Sequence, residues 1–467
     1  MSKVDLWEPQ STAKLARSVD NVDGAPPHPF TVGVHERMTE EKTIADLEVL
    51  GTIPPALNGH YLRIGPTPFG FEREDDYHWF VGEGIVHGLE LKDGKALWYR
   101  NRWVRSSAVS ERLKETPIPG TRRHVDNANT NITRIGGRIF ASSESGPWPV
   151  EFTRSDLEQQ RYNPFGGTLK GAYTGHPHLD PASGETHAVV YDAGVLDEIR
   201  HVVVDADGKV TRELSIPVSD GPMVHDCAFT ARYVLILDLS VTFMVEHGLT
   251  RFPFRWNDDH VTRVGLLPRA GTAEEIIWCP IEPCYAFHTL NAYDLPDGKV
   301  VLDIVAYDHM AIEVLDLSAA KLERWTIDPV ARSVERRVID GTPQEFPRMD
   351  ERRLGKPYRY AYSIGVSDNG LAHHDSSTIF KHDLETGARE DHDFGDGMSP
   401  GEFVFVPATS DAEEDEGWLV GFVVNRVEDT TDLAIIDARH FASPPVACVR
   451  IPHRVPPGFH GNWLPAL

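Results

Sequence analysis

The chain has 467 residues, 40% of them hydrophobic and 25% charged, a balance typical of a globular protein with a large core. Lysine and arginine number 46 against 71 for aspartate and glutamate, a formal net charge of −25. Such a charge opposes binding to phosphate backbones, so nucleic acid is excluded as a predicted partner. No apolar run approaches the roughly 20 residues that a membrane-spanning helix needs.

The amino-terminal residues carry no apolar segment followed by a small-residue cleavage site, which predicts a cytoplasmic protein. The cysteines are Cys227, Cys279, Cys284 and Cys448, and none of them forms a C-x-x-C pair, so we expect reduced thiols. Residues 1–45 are polar and interrupted by prolines, and we predict that they form an N-terminal arm.

From residue 46 onward the pattern changes to short β-rich segments separated by Gly, Pro, Asp and Asn, which is typical of an all-β sandwich, barrel or propeller. The strand-like runs 131–135 and 138–142 flank Gly136-Gly137, a two-residue hairpin signal. Further hairpins are predicted to join residues 201–204 to 209–214 and residues 290–293 to 299–305. No change in composition marks a linker, so we predict a single β domain over residues 46–467.

Histidine is frequent, with 22 residues, and four of them lie in apolar, strand-like or turn surroundings. They are His176, His225, His288 and His460, at successive separations of 49, 63 and 172 positions. Gaps of this length exclude a local zinc clip and suit ligands that separate hairpins bring to a common axis. Taken singly, each histidine is more often a hydrogen-bonded core residue than a metal ligand.

A series of short motifs runs along the chain, among them NGHYLRIGP at 58–66, GHPHLDP at 175–181 and FHGNW at 459–463. The others lie at 78–80, 82–88, 99–105, 128–132, 224–229, 264–269, 287–291, 345–348 and 401–407. Together these motifs resemble those of the carotenoid cleavage oxygenase family, in its bacterial form. The resemblance covers essentially the whole chain after the predicted arm.

This resemblance implies an all-β fold, a seven-bladed β-propeller with iron on its central axis and loop or helical elements covering one face. It implies one Fe(II) per subunit, bound by four catalytic histidines that match His176, His225, His288 and His460. In the family, glutamates accept hydrogen bonds from three of these rings, and the matching residues are Glu144, Glu345 and Glu402. Four neutral imidazoles leave two positions of a six-coordinate metal open, for O₂ and for water or substrate, and no organic cofactor is expected.

The implied activity is that of a non-haem Fe(II) dioxygenase that uses O₂ to cleave a conjugated double bond of a carotenoid or apocarotenoid, giving aldehyde or ketone products. Other family members cleave stilbenes and hold the substrate phenol with a tyrosine and a lysine. Trp103 occupies the tyrosine position here, and no lysine lies between Lys114 and Lys170, which favours a polyene. Stilbene cleavage remains the alternative, together with a non-cleaving carotenoid or retinoid isomerase or carrier.

The expected partner is therefore a hydrophobic polyene, and no obligate protein partner is predicted. Residues 241–245 and 249–256 are rich in Phe, Met and Trp beside Arg251 and Arg255. They predict either an apolar mouth that takes up substrate in peripheral contact with a membrane, or an ordinary inter-blade loop. The residues expected to line the substrate site are Trp103, Phe243, Phe254 and Phe287.

Two other metal sites deserve comparison with the four-histidine set. His124-Val-Asp126 and His178-Leu-Asp180 each match the H-x-D start of a two-His-one-carboxylate iron triad, although that pattern is only two residues deep. A calcium-centred propeller hydrolase would instead place Asp, Asn and Glu at its axis. The number and type of donors therefore favour the four histidines and iron.

Overall fold

The computed structural model describes residues 29–68, 77–123, 125–153, 155–245, 252–367 and 376–466. Within these ranges the strands form seven antiparallel sheets of four to six strands, the blades of a β-propeller, and one separate two-stranded hairpin. The predicted all-β, seven-bladed architecture is confirmed. No helix in the same ranges is both long enough and apolar enough to cross a bilayer.

The first strands of the chain belong to the two blades that its last strands complete. They are β1 (Thr43–Ile44), β2 (Glu48–Gly51), β3 (Gly59–Thr67), β4 (Glu83–Lys92) and β5 (Lys95–Trp103). The short helix α1 (Ser107–Leu113) follows them, with Ser106 as its N-cap. Short 3₁₀ turns lie at Pro29–Thr31, Gly33–His35, Trp79–Val81, Phe165–Gly167, Ala273–Glu275, Glu351–Arg353 and Ala438–His440.

Blades 1 to 3 follow in chain order. Blade 1 contains β6 (Asn131–Ile135), β7 (Arg138–Ser142), β8 (Val150–Phe152) and β9 (Gln160–Tyr162). Blade 2 contains β10 (His178–Leu179), β11 (Thr186–Tyr191), β12 (Glu198–Val204) and β13 (Val210–Pro217). Blade 3 contains β14 (Cys227–Phe229), β15 (Tyr233–Asp238), β18 (Arg263–Pro268) and β19 (Ile277–Pro280), with the hairpin β16 (Val241–Phe243) and β17 (Phe254–Trp256) inserted after β15.

Blades 4 to 7 complete the ring. Blade 4 contains β20 (Thr289–Asp294), β21 (Val300–Ala306), β22 (Lys321–Asp328) and β23 (Ser333–Asp340). Blade 5 contains β24 (Gln344–Arg348), β25 (Tyr360–Gly365), β26 (Thr378–Asp383) and β27 (Ala388–Asp393). Blade 6 contains β28 (Met398–Pro400), β29 (Val404–Pro407), β30 (Gly417–Asn425), β31 (Thr430–Asp437), β32 (Ala447–Ile451) and β2. Blade 7 contains β33 (Gly461–Pro465), β3, β4, β5 and β1.

Both ends of the described chain close the propeller. Strand β33 pairs with β3, where Trp463 faces Tyr61, and β2 pairs with β32. Strands from the two ends of the described chain are therefore hydrogen-bonded within the same two blades. Strand β1 pairs with β5, so the last residues of the predicted arm lie within blade 7. Residues 1–28 of that arm are outside the described residues.

Local sequence explains the hairpins. Gly136 and Gly137 have φ values of 54° and 72°, as a two-residue turn of the I′ type requires, and the flanking runs are β6 and β7 as predicted. The first strand of blade 3, β14, is buried, whereas the outer strands β23 and β27 are largely exposed. Apolar inner strands therefore surround the axis, and the ends of these strands position the site.

Candidate metal centre

Each of the four histidines immediately precedes the strand that begins its blade at the axis. His225 lies two residues before β14, His288 one before β20 and His460 one before β33, while His176 lies two residues before β10. All four side chains are buried. Because first strands enter the axis at the same end, residues that are distant in sequence meet at one point.

The four imidazoles form a compact cluster. The ring centroid of His176 lies 4.3 Å from that of His225, 5.2 Å from that of His288 and 4.6 Å from that of His460. The centroid of His288 lies 5.1 Å from that of His225 and 4.9 Å from that of His460. These distances allow one nitrogen of each ring to face a common metal ion.

Three carboxylates, the buried Glu345 and Glu402 and the half-buried Glu144, contact the outer nitrogens of three of these rings. His225 Nδ1 lies 2.7 Å from Glu144 Oε1, and His288 Nδ1 lies 2.6 Å from Glu345 Oε2. His460 Nδ1 lies 3.1 Å from Glu402 Oε1. A carboxylate in this position favours the proton on Nδ1 and leaves Nε2 as a metal ligand.

Further side chains, which the sequence did not indicate, form hydrogen bonds with the three carboxylates. Tyr191 donates a hydrogen bond of 2.7 Å to Glu144 Oε2, and Tyr307 donates one of 2.7 Å to Glu345 Oε1. Glu402 instead receives Arg348, with Nη1 at 3.2 Å from Oε1, and the backbone N–H of Gly461 at 2.7 Å from Oε2. The three carboxylates thus differ in charge balance, because only Glu402 has a cationic partner among these contacts.

The electrostatics keep the carboxylates ionised and one imidazole neutral. Burial alone would raise the pKa of Glu144, but the charges and hydrogen bonds of His225 and His176 lower it well below its usual value. In the same way the pKa of Glu345 is lowered by His288, and that of Glu402 by Arg348 and His460, against the effect of burial. Burial lowers the pKa of His176 to about 3, so this ring is neutral near pH 7.

The donor set fits a divalent transition metal. His225 Nε2 and His288 Nε2 lie 3.4 Å apart, and with the protons on Nδ1 their lone pairs face each other. His176 Nε2 is buried with Glu144 Oε1 at 3.4 Å, and a metal ion would give this nitrogen a ligand bond. Imidazole suits Fe(II), whereas Ca²⁺ requires oxygen ligands, so the cluster does not fit the calcium alternative.

The H-x-D motif at residues 178–180 does not join this cluster. His178 Nε2 lies 2.6 Å from Asp226 Oδ1, whereas Asp180 pairs with Arg269 at 2.6 Å. The two residues of this motif therefore have different partners. His124, which begins the other motif, is outside the described residues.

Aromatic rings form one wall of the site. Phe287, expected to line it, has its ring centroid 5.0 Å from that of His225. Phe80, which the sequence analysis did not single out, lies 6.4 Å from His225, 5.9 Å from Phe287 and 5.6 Å from Phe459. Its neighbour Phe252 is 5.7 Å from Phe80. A signal existed, since Phe80 lies in the 78–80 motif and Phe459 directly precedes His460.

The other expected lining residues lie farther from the histidines. Phe243 and Phe254 pack on each other at 5.7 Å and, with Tyr191, line a narrow and largely apolar cavity. Phe254 reaches the aromatic wall through Phe252, also at 5.7 Å. Trp103 is buried in a separate cluster in blade 7 with Met38, Ile85, Val109 and Leu113. Residues 246–251, including Arg251, are outside the described residues.

Comparisons with known proteins agree with this geometry. A family model described as retinal pigment epithelial membrane protein matches residues 35–465. The chain is 36% identical to a carotenoid cleavage oxygenase of Mycobacterium tuberculosis, over 94% of this chain and 98% of the relative. It is 28% identical to an apocarotenoid-15,15'-oxygenase of Synechocystis, over 89% and 92%. The crystal structure of a lignostilbene dioxygenase of Pseudomonas brassicacearum superposes with a TM-score of 0.83 at 26% identity, covering 95% of this chain and 100% of that chain.

Proposed function

The chain belongs to the retinal pigment epithelial membrane protein family, the carotenoid cleavage oxygenases that its motifs resemble, and from this premise we propose its reaction. It is a non-haem Fe(II) dioxygenase that uses O₂ to split a conjugated double bond of a carotenoid or apocarotenoid into two carbonyl products. One Fe(II) per subunit is held by His176, His225, His288 and His460. The observation that carries the proposal is the convergence of these four histidines with three carboxylates at the propeller axis.

The side chains around the metal have distinct tasks. When bound, Fe(II) supplies the binding and activation of O₂. Glu144, Glu345 and Glu402 orient the imidazoles, and their negative charge offsets that of a divalent cation among neutral ligands. Phe80 and Phe287 present apolar surface beside His225, which excludes water and gives a polyene a wall to lie against. The proposal requires no organic cofactor.

A polyene is favoured over a stilbene. Relatives with the higher sequence identity are named for carotenoids, although the lignostilbene dioxygenase has a similar fold. The tyrosine and lysine that would hold a phenol have no counterpart at Trp103 or between Lys114 and Lys170. We place the polyene against Phe287, with Phe243 and Phe254 as a second layer.

Peripheral contact with a membrane during substrate uptake is proposed for the hairpin of β16 and β17. Val245, which follows β16, is 53% exposed, and the half-buried Phe252 precedes β17. Because the net charge is −25, apolar insertion and not charge attraction would drive such contact. The protein should therefore float with vesicles of neutral lipid in a flotation assay, and Val245→Glu should abolish this binding.

The test of the activity is product analysis. Protein loaded with Fe(II) is incubated in air with a β-apocarotenal, a carotene and a hydroxystilbene, and the products are identified by mass spectrometry. Shortened apocarotenoid aldehydes that His288→Ala does not form are expected. Benzaldehydes alone would establish the stilbene alternative. Iron-loaded protein without cleavage products would instead indicate an isomerase or carrier.

A further inference from the structure

Phe80 occupies a central place in the aromatic wall of the metal centre. Its ring lies 6.4 Å from His225, at an interplanar angle of 29°, and contacts Phe287 and Phe459 edge-on. Phe287 and Phe459 directly precede His288 and His460 in the chain. A half-buried ring in this position meets whatever lies over the metal, so its placement affects how a long apolar substrate is seated.

The segment that carries Phe80 has little regular structure of its own. It is the single 3₁₀ turn Trp79–Val81, in which Val81 N–H donates to His78 O at 3.0 Å and Phe80 N–H donates to His78 Nδ1 at 3.2 Å. The carbonyl oxygens of Phe80 and Gly82 accept hydrogen bonds from outside the turn. Both are bound by Asn129 Nδ2, at 2.9 Å and 2.7 Å.

Asn129 uses all of its hydrogen-bonding capacity at this position. Its side chain is 0% exposed, and its Oδ1 accepts from Thr130 Oγ1 at 2.9 Å and from Ser143 Oγ at 3.0 Å. Because carbonyl oxygens only accept, the NH₂ group must face Phe80 and Gly82, which fixes the orientation of the amide. Asn127 Nδ2 also donates to Gly82 O, at 3.3 Å, whereas the hydrogen bond to Phe80 O comes from Asn129, which thereby ties the turn to the start of blade 1.

Through Oδ1 the same amide also contacts the loop that carries Glu144. Ser143 directly precedes Glu144, whose Oε1 lies 2.7 Å from His225 Nδ1. Asn129 thus joins the backbone of the aromatic wall to the loop that orients a metal ligand, and His225 lies between the two. Loss of the NH₂ group would remove the hydrogen bonds to Phe80 O and Gly82 O, while Oδ1 would still accept from Ser143.

We propose that Asn129 is a positioning residue that fixes Phe80 over His225 and so determines which double bond of the polyene faces the metal. This inference rests on the proposed cleavage activity and adds a residue to it. Asn129 does not touch the substrate in this account. It acts through Phe80, by way of the two carbonyl oxygens that it binds.

The test uses Asn129→Asp, which keeps an acceptor oxygen for Ser143 and Thr130 and replaces the NH₂ group. Asn101→Asp is the matched control, because Asn101 is also 0% exposed. Its Nδ2 donates to Glu40 O at 3.1 Å and its Oδ1 accepts from Lys42 N–H at 2.8 Å, so it fixes main chain in blade 7. Each variant is also made in a Phe80→Ala background, and Asn129→Ala replaces Asn129→Asp if the latter does not fold.

The measurements are the ratio of cleavage products from one apocarotenal, kcat and KM, iron content, and binding of the uncleaved polyene to metal-free protein. Asn129→Asp should change the ratio of cleavage products by about tenfold, or yield a second product, while the iron content stays unchanged. It should also weaken polyene binding by about threefold, with no such change in Asn101→Asp. In the Phe80→Ala background the further shift should vanish.

Two results would overturn the inference. One is an unchanged product ratio in both Asn129 variants, and the other is an equal shift with and without Phe80. The product ratio reports only on folded and active molecules, so partial loss of stability does not mimic the effect. Failure of the proposed function is distinguishable, because the unsubstituted protein would then cleave no polyene.

Discussion

The Nε2 atoms of His225 and His288 lie 3.4 Å apart, and each ring turns its Nδ1 toward a buried carboxylate. With the protons on Nδ1, two lone pairs face each other in a site from which water is largely excluded. A cation between the rings removes this repulsion and gives both nitrogens a partner. Metal binding should therefore stabilise the folded protein as well as support catalysis.

The first prediction concerns this coupling. Anaerobic addition of Fe(II) to metal-free protein should raise its melting temperature, because a ligand at about 100 times its Kd adds about 2.7 kcal/mol to the folded state. His288→Ala should abolish the increase and the bound iron, as measured by thermal melts and metal analysis. His392→Ala is the control, since His392 in β27 is similarly buried but its ring bonds the carbonyl of Phe441, between β31 and β32. An increase of the same size in His288→Ala would contradict the four-histidine site.

The second prediction concerns the carboxylates. Glu144→Gln should weaken Fe(II) binding by about 10- to 100-fold, because the neutral amide no longer favours the His225 tautomer. Competition with a calibrated chelator measures the affinity. We expect a loss in the same range in Glu402→Gln together with a larger loss of stability, since removal of its charge leaves the Arg348 guanidinium without its buried partner.

The matched control for this series is Glu323→Gln. Glu323 is a buried carboxylate in blade 4 that accepts from Arg336 and from Trp325 Nε1. Its substitution should lower the free energy of unfolding and leave the Fe(II) affinity unchanged. If Glu323→Gln weakened Fe(II) binding as much as Glu144→Gln, general destabilisation and not tautomer control would explain the series.

Much of the fold was predictable because it is encoded locally. The Gly136-Gly137 pair specifies the turn between β6 and β7 whatever the rest of the chain does. The ring closure was not predictable in this way. The residues of β33 read like those of any other short strand, and only the completed circle makes β3 their neighbour.

The residues of the site likewise divide into those that local motifs identify and those that only the packing of the blades brings together. The four histidines and three glutamates were identified through family motifs, but spacing alone could not bring His460 to His176. Tyr191, Tyr307 and Arg348, which hold the glutamates, lie 47, 38 and 54 positions from their partners. Their roles depend on how neighbouring blades pack, and a tyrosine in an apolar strand gives no local sign of the carboxylate it will meet.

The third prediction tests a close approach between backbones. A Cβ at Gly65 would lie 2.4 Å from Gly458 Cα, in the segment that ends at His460. The same segment is tied to β3 by hydrogen bonds from Phe459 N–H to Ile64 O at 2.9 Å and from Ile64 N–H to His460 O at 3.0 Å. Gly65→Ala should therefore cost about 1–3 kcal/mol of stability and weaken metal binding, because His460 is displaced.

Chemical denaturation and chelator competition measure the two effects of Gly65→Ala. Gly341→Ala is the control, since a Cβ there meets no atom within 4 Å. Gly341→Ala should leave both quantities nearly unchanged. Normal metal affinity in a destabilised Gly65→Ala variant would show that His460 keeps its position when this backbone contact is disturbed.

The last prediction concerns pH and a histidine outside the metal centre. His260 Nε2 lies 2.8 Å from Asp238 Oδ1 and its Nδ1 lies 3.1 Å from Asp220 Oδ2, while Arg263 contacts the other oxygen of Asp238. Burial alone would lower the pKa of His260, but the two carboxylates outweigh it and raise the pKa above 6.5. The protonated ring, which follows β17, ties Asp220 in the loop between β13 and β14 to Asp238 at the end of β15.

The sign of the effect follows from this raised pKa. Below the unfolded-state value the contribution of His260 to stability is fully present, and it is lost as the pH rises through the native value. His260→Gln should therefore destabilise the protein more at about pH 6 than at about pH 9. Urea denaturation of both proteins at the two pH values gives the difference, in which all other titrating groups cancel. An equal loss at both pH values would mean that His260 is neutral in the native protein and acts through packing alone.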